Sequence, residues 1–151
     1  RQLLSSLKLC LALCAGGVAI IALIAPQLIG LFSHDPEIIQ GGALLLRISI
    51  VLELGRVFNI VVINSLRATG DARYPVQIGA VCMWCLWVPN AWFLGVHLGW
   101  GLVGIWIAMT CDEWLRGILM YHRWVKRRWL PAAERSRAAV MHNNVPLVNE
   151  T

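Results

Sequence analysis

The chain has 151 residues, of which 58% are hydrophobic and only 14% charged, and it carries a formal net charge of +5; its mean hydropathy is +0.66. Soluble domains average about 25% charged residues, so an ordinary water-soluble globular domain is excluded and the bilayer becomes the relevant solvent. The sequence opens on Arg1 without the basic, apolar and small-residue succession of a cleavable leader, and we read it as part of a longer protein.

Four apolar stretches follow in order, about Leu9 to Leu31, Ala43 to Leu66, Val76 to Leu98 and Gly101 to Tyr121. Each is close to the roughly 20 residues a helix needs to cross a ~30 Å hydrocarbon core. The first and third contain no Asp, Glu, Lys or Arg, which marks them as membrane spans. The second and fourth carry charges, but the connectors are short, so they must cross if their neighbours do. The predicted fold is therefore all-α and membrane-integral, with four transmembrane helices within residues 1–129. A charged, then polar tail follows over residues 130–151, without apolar periodicity and expected to be disordered.

The connectors carry helix signals. In "LFSHDPEII", Asp35 suits an N-cap, Pro36 the first helical position and Glu37 the positive end of the helix dipole. In "SLRATGDARYPV", Gly70 suits the residue after a helix, with Asp71 and Pro75 available to start the next. Lys and Arg set the orientation. Arg1 and Lys8, then Arg67 and Arg73, then Arg123, Lys126, Arg127 and Arg128 all fall on one side, which places both ends in the cytoplasm. Arg47 lies near the outer end and can snorkel. Trp100, Trp124 and Trp129 read as interfacial residues, and Trp84 and Trp87 as core filler.

The second span raises the main chemical question. On an insertion scale its Leu, Ile, Val and Phe contribute roughly −0.3 to −0.6 kcal/mol each, against about +2.5 to +3.5 for each central charge, so the sum lies near zero. At about 100° per residue, Ser49, Glu53, Arg56, Asn64 and Arg67 fall within a stripe roughly 80° wide. Such a stripe belongs against protein or an aqueous cavity, where Glu53 and Arg56 neutralise one another at i,i+3. It either locks helices together or holds a titratable carboxylate in a transport pathway, and the pathway reading is the expectation. The fourth span repeats the theme in "CDEWLRG", where Asp112 and Glu113 precede Arg116 by four and three positions. Here the structural reading leads, with Arg116 as a solvated anchor near the inner face.

Other signals are weaker. Cys82 and Cys85 have the spacing of a metal half-site but lie inside an apolar span with no matching pair, so no metal site is expected. Gly95, Gly99, Gly101 and Gly104 read as close-packing positions rather than a phosphate loop. His34 and His97 read as connector residues, and the basic start of the tail suits anionic lipid better than nucleic acid.

Taken together, "LFSHDPEII", "LELGRVFNIVVINSLRATGDARYPV" and "LGWGLVGIWIAMTCDEWLRG" resemble the last four helices of the multidrug and toxic compound extrusion (MATE) transporters of prokaryotes. The match to the family's LRGxGDTRxP pattern rests on Leu66, Arg67, Gly70, Asp71, Arg73 and Pro75, and the match to LFTxDPE on Leu31, Phe32, Asp35, Pro36 and Glu37. The resemblance implies helices nine to twelve, part of a six-helix lobe of a twelve-helix transporter in the inner membrane. It also implies export of organic cations or drugs in exchange for H⁺ or Na⁺. No other cofactor is implied; the partners are the bilayer, a small-molecule substrate and the remaining helices. The acidic residue that some members carry on the tenth helix aligns with Arg56, so Glu53 stands one turn away from it. A lipid-linked oligosaccharide flippase of the same superfamily and a structural membrane subunit are the alternatives; a membrane prenyltransferase would need paired Asp-rich motifs, which this sequence lacks.

Overall fold

The structure is a computed structural model that describes residues 2–143. It is a set of packed helices. Helix α1 spans Gln2–Leu23 and α2 Ala25–Gly30. Helix α3 spans Pro36–Ala68, α4 runs over Arg73–His97, α5 over Gly101–Val125 and α6 over Leu130–Asn143. By length and composition, α1 (Leu3–Leu23) and α4 qualify as membrane spans, the same two segments that the sequence marks most clearly. Both leave most of their apolar surface outside the fold: Leu13, Leu23 and Trp84 are all exposed. Such faces suit lipid or further helices.

The first span departs from expectation. It starts earlier than Leu9 and breaks at Ile24, where φ −94° and ψ 9° leave the helical region. Pro26, within the first two positions of α2, explains the break: its ring cannot tolerate the carbonyl four residues back and it has no N–H to give. Pro89 acts likewise inside α4. There the chain widens into a π-helical turn at Met83–Trp87 just before the α-helical Val88–Trp92, and a second π turn covers Phe93–His97. A wider turn makes room for the proline ring while the helix continues.

Helix α3 begins and ends as its sequence directs. Asp35 Oδ1 accepts from the Glu37 amide at 2.9 Å, and Pro36 takes the first turn. At the other end Gly70 adopts φ +88°, its amide donates to the Arg67 carbonyl and the Asp71 amide to that of Leu66, the two bonds of a Schellman closure. Asp71 does not cap the next helix, however. The residue before α4 is Ala72, with no side-chain cap, and the Asp71 carboxylate instead takes a 2.6 Å bond from Arg123 Nε on α5.

Helix α3 is the hub, packing on α1, α2 and α5, while α4 packs chiefly on α5. Its buried face is Leu52, Gly55, Asn59, Val62 and Leu66, a 3,4,3,4 spacing. The facing side of α5 buries Gly104, Ala108, Asp112, Glu113, Gly117 and Met120. In lipid, burying a Leu against another helix gains little, because the acyl chains it leaves are equally apolar; close approach and polar bonds must hold the seam. Close approach is visible at Gly104, where a Cβ would lie 2.7 Å from the Leu94 carbonyl carbon and oxygen. Gly95 faces the same contact, but Gly99 and Gly101 do not: they take φ +71° and +56° and make the turn between α4 and α5. Below the seam Val62, Leu66 and Met120 form a fully buried cluster, with Trp124 and Trp129 packed against it and stacked at 5.0 Å.

Two further expectations are corrected. Trp84 is exposed rather than core filler. The tail is helical over Leu130–Asn143 rather than disordered, since 130–143 is mostly Leu, Ala, Glu and Arg, which favour helix without needing a buried face. The rest of it, 144–151, lies outside the described residues.

Candidate functional site

The polar groups of α3 divide between two faces. On the more open face, Glu53 Oε1 accepts from Arg56 Nη1 at 2.7 Å, with the two side chains 32% and 35% exposed. Ser49 lies one turn earlier and accepts from Trp106 Nε1 of α5 at 2.9 Å while donating to the Leu45 carbonyl. Asn64, Ile60 and Arg67, further along the same stripe, are exposed. The structure thus joins Glu53 to Arg56 and ties Ser49 to α5, and leaves Asn64 facing outward.

On the buried face stands a residue that the charge stripe does not include. Asn59 points into the α3–α5 seam, where its Nδ2 donates to Glu113 Oε2 at 2.8 Å. Glu113 Oε1 receives Arg116 Nη2 at 3.1 Å, and the same nitrogen lies 2.6 Å from Asp112 Oδ2. Asp112 is only 4% exposed and Glu113 11%. Arg116 is therefore pinned between two carboxylates rather than serving as a solvated anchor. The local sequence explains the geometry: positions 112 and 116 share a face across one turn, and adjacent residues 112 and 113 straddle it. Just beside the cluster Trp114 Nε1 donates to the Val51 carbonyl at 3.0 Å. This approach needs Gly55, where a Cβ would come within 2.6 Å of the indole nitrogen.

The cluster is incompletely satisfied. Asn59 Oδ1, Asp112 Oδ1 and Arg116 Nε are buried without a hydrogen-bond partner among the described residues. Buried polar atoms are usually paired, so the cluster leaves two acceptors and one donor of its own unmet. Asn59 was legible in principle: in the run Leu52, Gly55, Asn59, Val62, Leu66 it is the single amide on an otherwise small or apolar face.

A bundle of apolar helices with a buried acidic cluster between two of them defines a class, the helical membrane proteins that carry ionisable groups within their spans. Comparison makes the assignment specific. The MatE family model matches residues 1–93, and the chain belongs to that family. It is 46% identical over 130 residues to an uncharacterized transporter YisQ of Bacillus subtilis, covering 86% of this chain and 29% of that protein. It is 36% identical over 94 residues to a probable multidrug resistance protein NorM of Pseudomonas putida, covering 58% and 20%. A third relative, a probable multidrug resistance protein NorM of Thermotoga maritima, is 28% identical over 124 residues, covering 82% and 27%. The chain thus spans less than a third of the length of these curated relatives. No solved structure matches it significantly.

Proposed function

We propose that the chain forms helices nine to twelve of a twelve-helix antiporter that exports organic cations or drugs in exchange for H⁺ or Na⁺ across a prokaryotic inner membrane. All four long helices, α1, α3, α4 and α5, cross, and both ends of the segment are cytoplasmic. Family membership supports the transport reading, and the multidrug resistance names of two relatives support the substrate class. The Lys and Arg distribution supports the orientation. A cysteine placed at Gln40 is expected to react with an impermeant reagent from outside and one at Ala72 is not; the reverse pattern would invert the topology.

One observation carries the assignment of the coupling site. Asp112 and Glu113 share a single guanidinium, Arg116, which leaves one negative charge of the cluster without a counter-charge. A proton or a Na⁺ balances it. Carboxylate and amide oxygens are hard donors suited to Na⁺ and either carboxylate can take up H⁺; the unpartnered Asp112 Oδ1 is free for either ion, and the unpartnered Asn59 Oδ1 for Na⁺. Glu53 and Arg56 balance each other, and with Ser49 and Asn64 they line the path beside the cluster.

The test is cationic-dye efflux from the full-length transporter, normalised to protein in the membrane. Asp112→Asn and Glu113→Gln each leave the cluster neutral, so both proteins should insert and accumulate normally yet lose ion-driven efflux by about a hundredfold or more, the effect typical of removing a proton-transfer group. Glu53→Gln should lose less. Wild-type turnover per molecule in both cluster variants would refute the assignment and make the cluster a helix lock.

A further inference from the structure

Beyond the acidic cluster, the other concentration of charge lies where α3 gives way to α4. Arg73 from the start of α4, Arg123 from the end of α5, Arg128 from the connection and Arg135 from α6 line one cavity of about 500 Å³. Asp71 is the single carboxylate among the lining residues, and Arg123 already engages it at 2.6 Å. The Arg123 guanidinium also sits 4.0 Å over the centre of the Tyr74 ring, and Arg135 Nε donates to the Pro131 carbonyl at 3.2 Å, so two of the four are held in place. Positive charge exceeds negative, and an anion in the cavity would offset the repulsion. Arginine's planar fork matches the paired oxygens of a phosphate.

The setting points to the source of that phosphate. Arg73 and Gln77 both line the cavity, and the positions that continue their face along α4, Val81 and Trp84, are exposed and apolar. Charge at the end of a span followed by open apolar surface along it matches a phospholipid, headgroup first and acyl chain after.

We infer that this cavity is a binding site for the phosphate headgroup of an anionic phospholipid, whose acyl chains lie along the Val81–Trp84 face of α4. The bound lipid bridges α4, α5 and the start of α6 at the membrane surface. The site is separate from the Asp112 cluster, and the test reads lipid retention rather than transport, so the two readings stand or fall apart.

The full-length transporter is delipidated in detergent and titrated with phosphatidylglycerol, phosphatidylcholine or soluble glycerol phosphate, with binding read by native mass spectrometry. Phosphatidylglycerol should bind in clear preference to the other two. The double substitution Arg73→Gln with Arg135→Gln should weaken it roughly 30-fold, from about fivefold for each arginine at a membrane surface. The isosteric Gln77→Glu, at an exposed position, should weaken it about fivefold without removing any arginine, which keeps the test open if the double variant fails to fold. Unchanged phosphatidylglycerol affinity in Gln77→Glu and in a folded double variant would overturn the site. Equal binding of phosphatidylcholine would overturn anion recognition, and equal binding of glycerol phosphate would replace the lipid by a soluble phosphate compound.

Discussion

Two ion-paired groups, one on the open face of α3 and one in the α3–α5 seam, differ in what they tie together. Glu53 and Arg56 are one carboxylate and one guanidinium on a single helix, about a third exposed. Asp112, Glu113, Arg116 and Asn59 are two carboxylates, one guanidinium and an amide shared between two helices, with Asp112 and Asn59 buried. The first pair is balanced and local, so it adds little to the joining of helices. The second is unbalanced and spans the seam, so it both holds α3 to α5 and leaves a charge for chemistry.

The contrast is sharpest at the two arginines. Arg116→Ala in the full-length protein strands two buried carboxylates together and is expected to cost about 3–5 kcal/mol, seen as lost membrane abundance and a lower melting temperature in detergent. Arg56→Ala breaks a partly exposed i,i+3 pair and should cost under about 1 kcal/mol. Equal losses would erase the distinction. The next effect is steric: Gly55→Val pushes a side chain into Trp114 and should cost about 1–3 kcal/mol by overpacking, while Ile60→Ala, on the exposed side, should stay within about 0.5 kcal/mol. The smallest is polar. Asn59→Leu removes the amide bond to Glu113 and should cost about 0.6–2 kcal/mol, the range of interhelical hydrogen bonds in membranes, whereas Asn64→Leu should change almost nothing. A stability loss at Asn64 matching that at Asn59 would mean that the exposed stripe is sheltered in the intact protein.

Much of this was readable from the sequence, for identifiable reasons. The Asp35–Pro36–Glu37 start and Gly70 end of α3 are local signals, decided by residues within a turn of each other, and the two uncharged spans follow from composition alone. Pro26 and Pro89 were visible too, but whether a proline breaks a helix, as at Ile24, or widens it, as at Met83–Trp87, depends on the packing around it. Asp71 looked like a cap because its neighbours allow one; its true partner, Arg123, is 52 residues away. The cluster was half legible. The i,i+4 spacing of Asp112 and Arg116 announced their pair, but a single helix cannot disclose that Asn59 arrives from across the seam or that the carboxylates are buried there.

The bond between Asn59 and Glu113 also has a consequence for how the chain is made. Its two ends are 54 residues apart, which at a synthesis rate of about 5–20 residues per second separates their emergence from the ribosome by about 3–11 s. During that interval α3, whose insertion energy lies near zero, has no α5 to shelter Asn59. With an insertion energy near zero, α3 is expected to exchange between the membrane and its edge during that interval and to be held inside only once α5 pairs with it. In a nascent chain halted before Gly101 a cysteine at Val57, midway along α3, should react with an impermeant thiol reagent, while in one halted well beyond Val125 it should be protected.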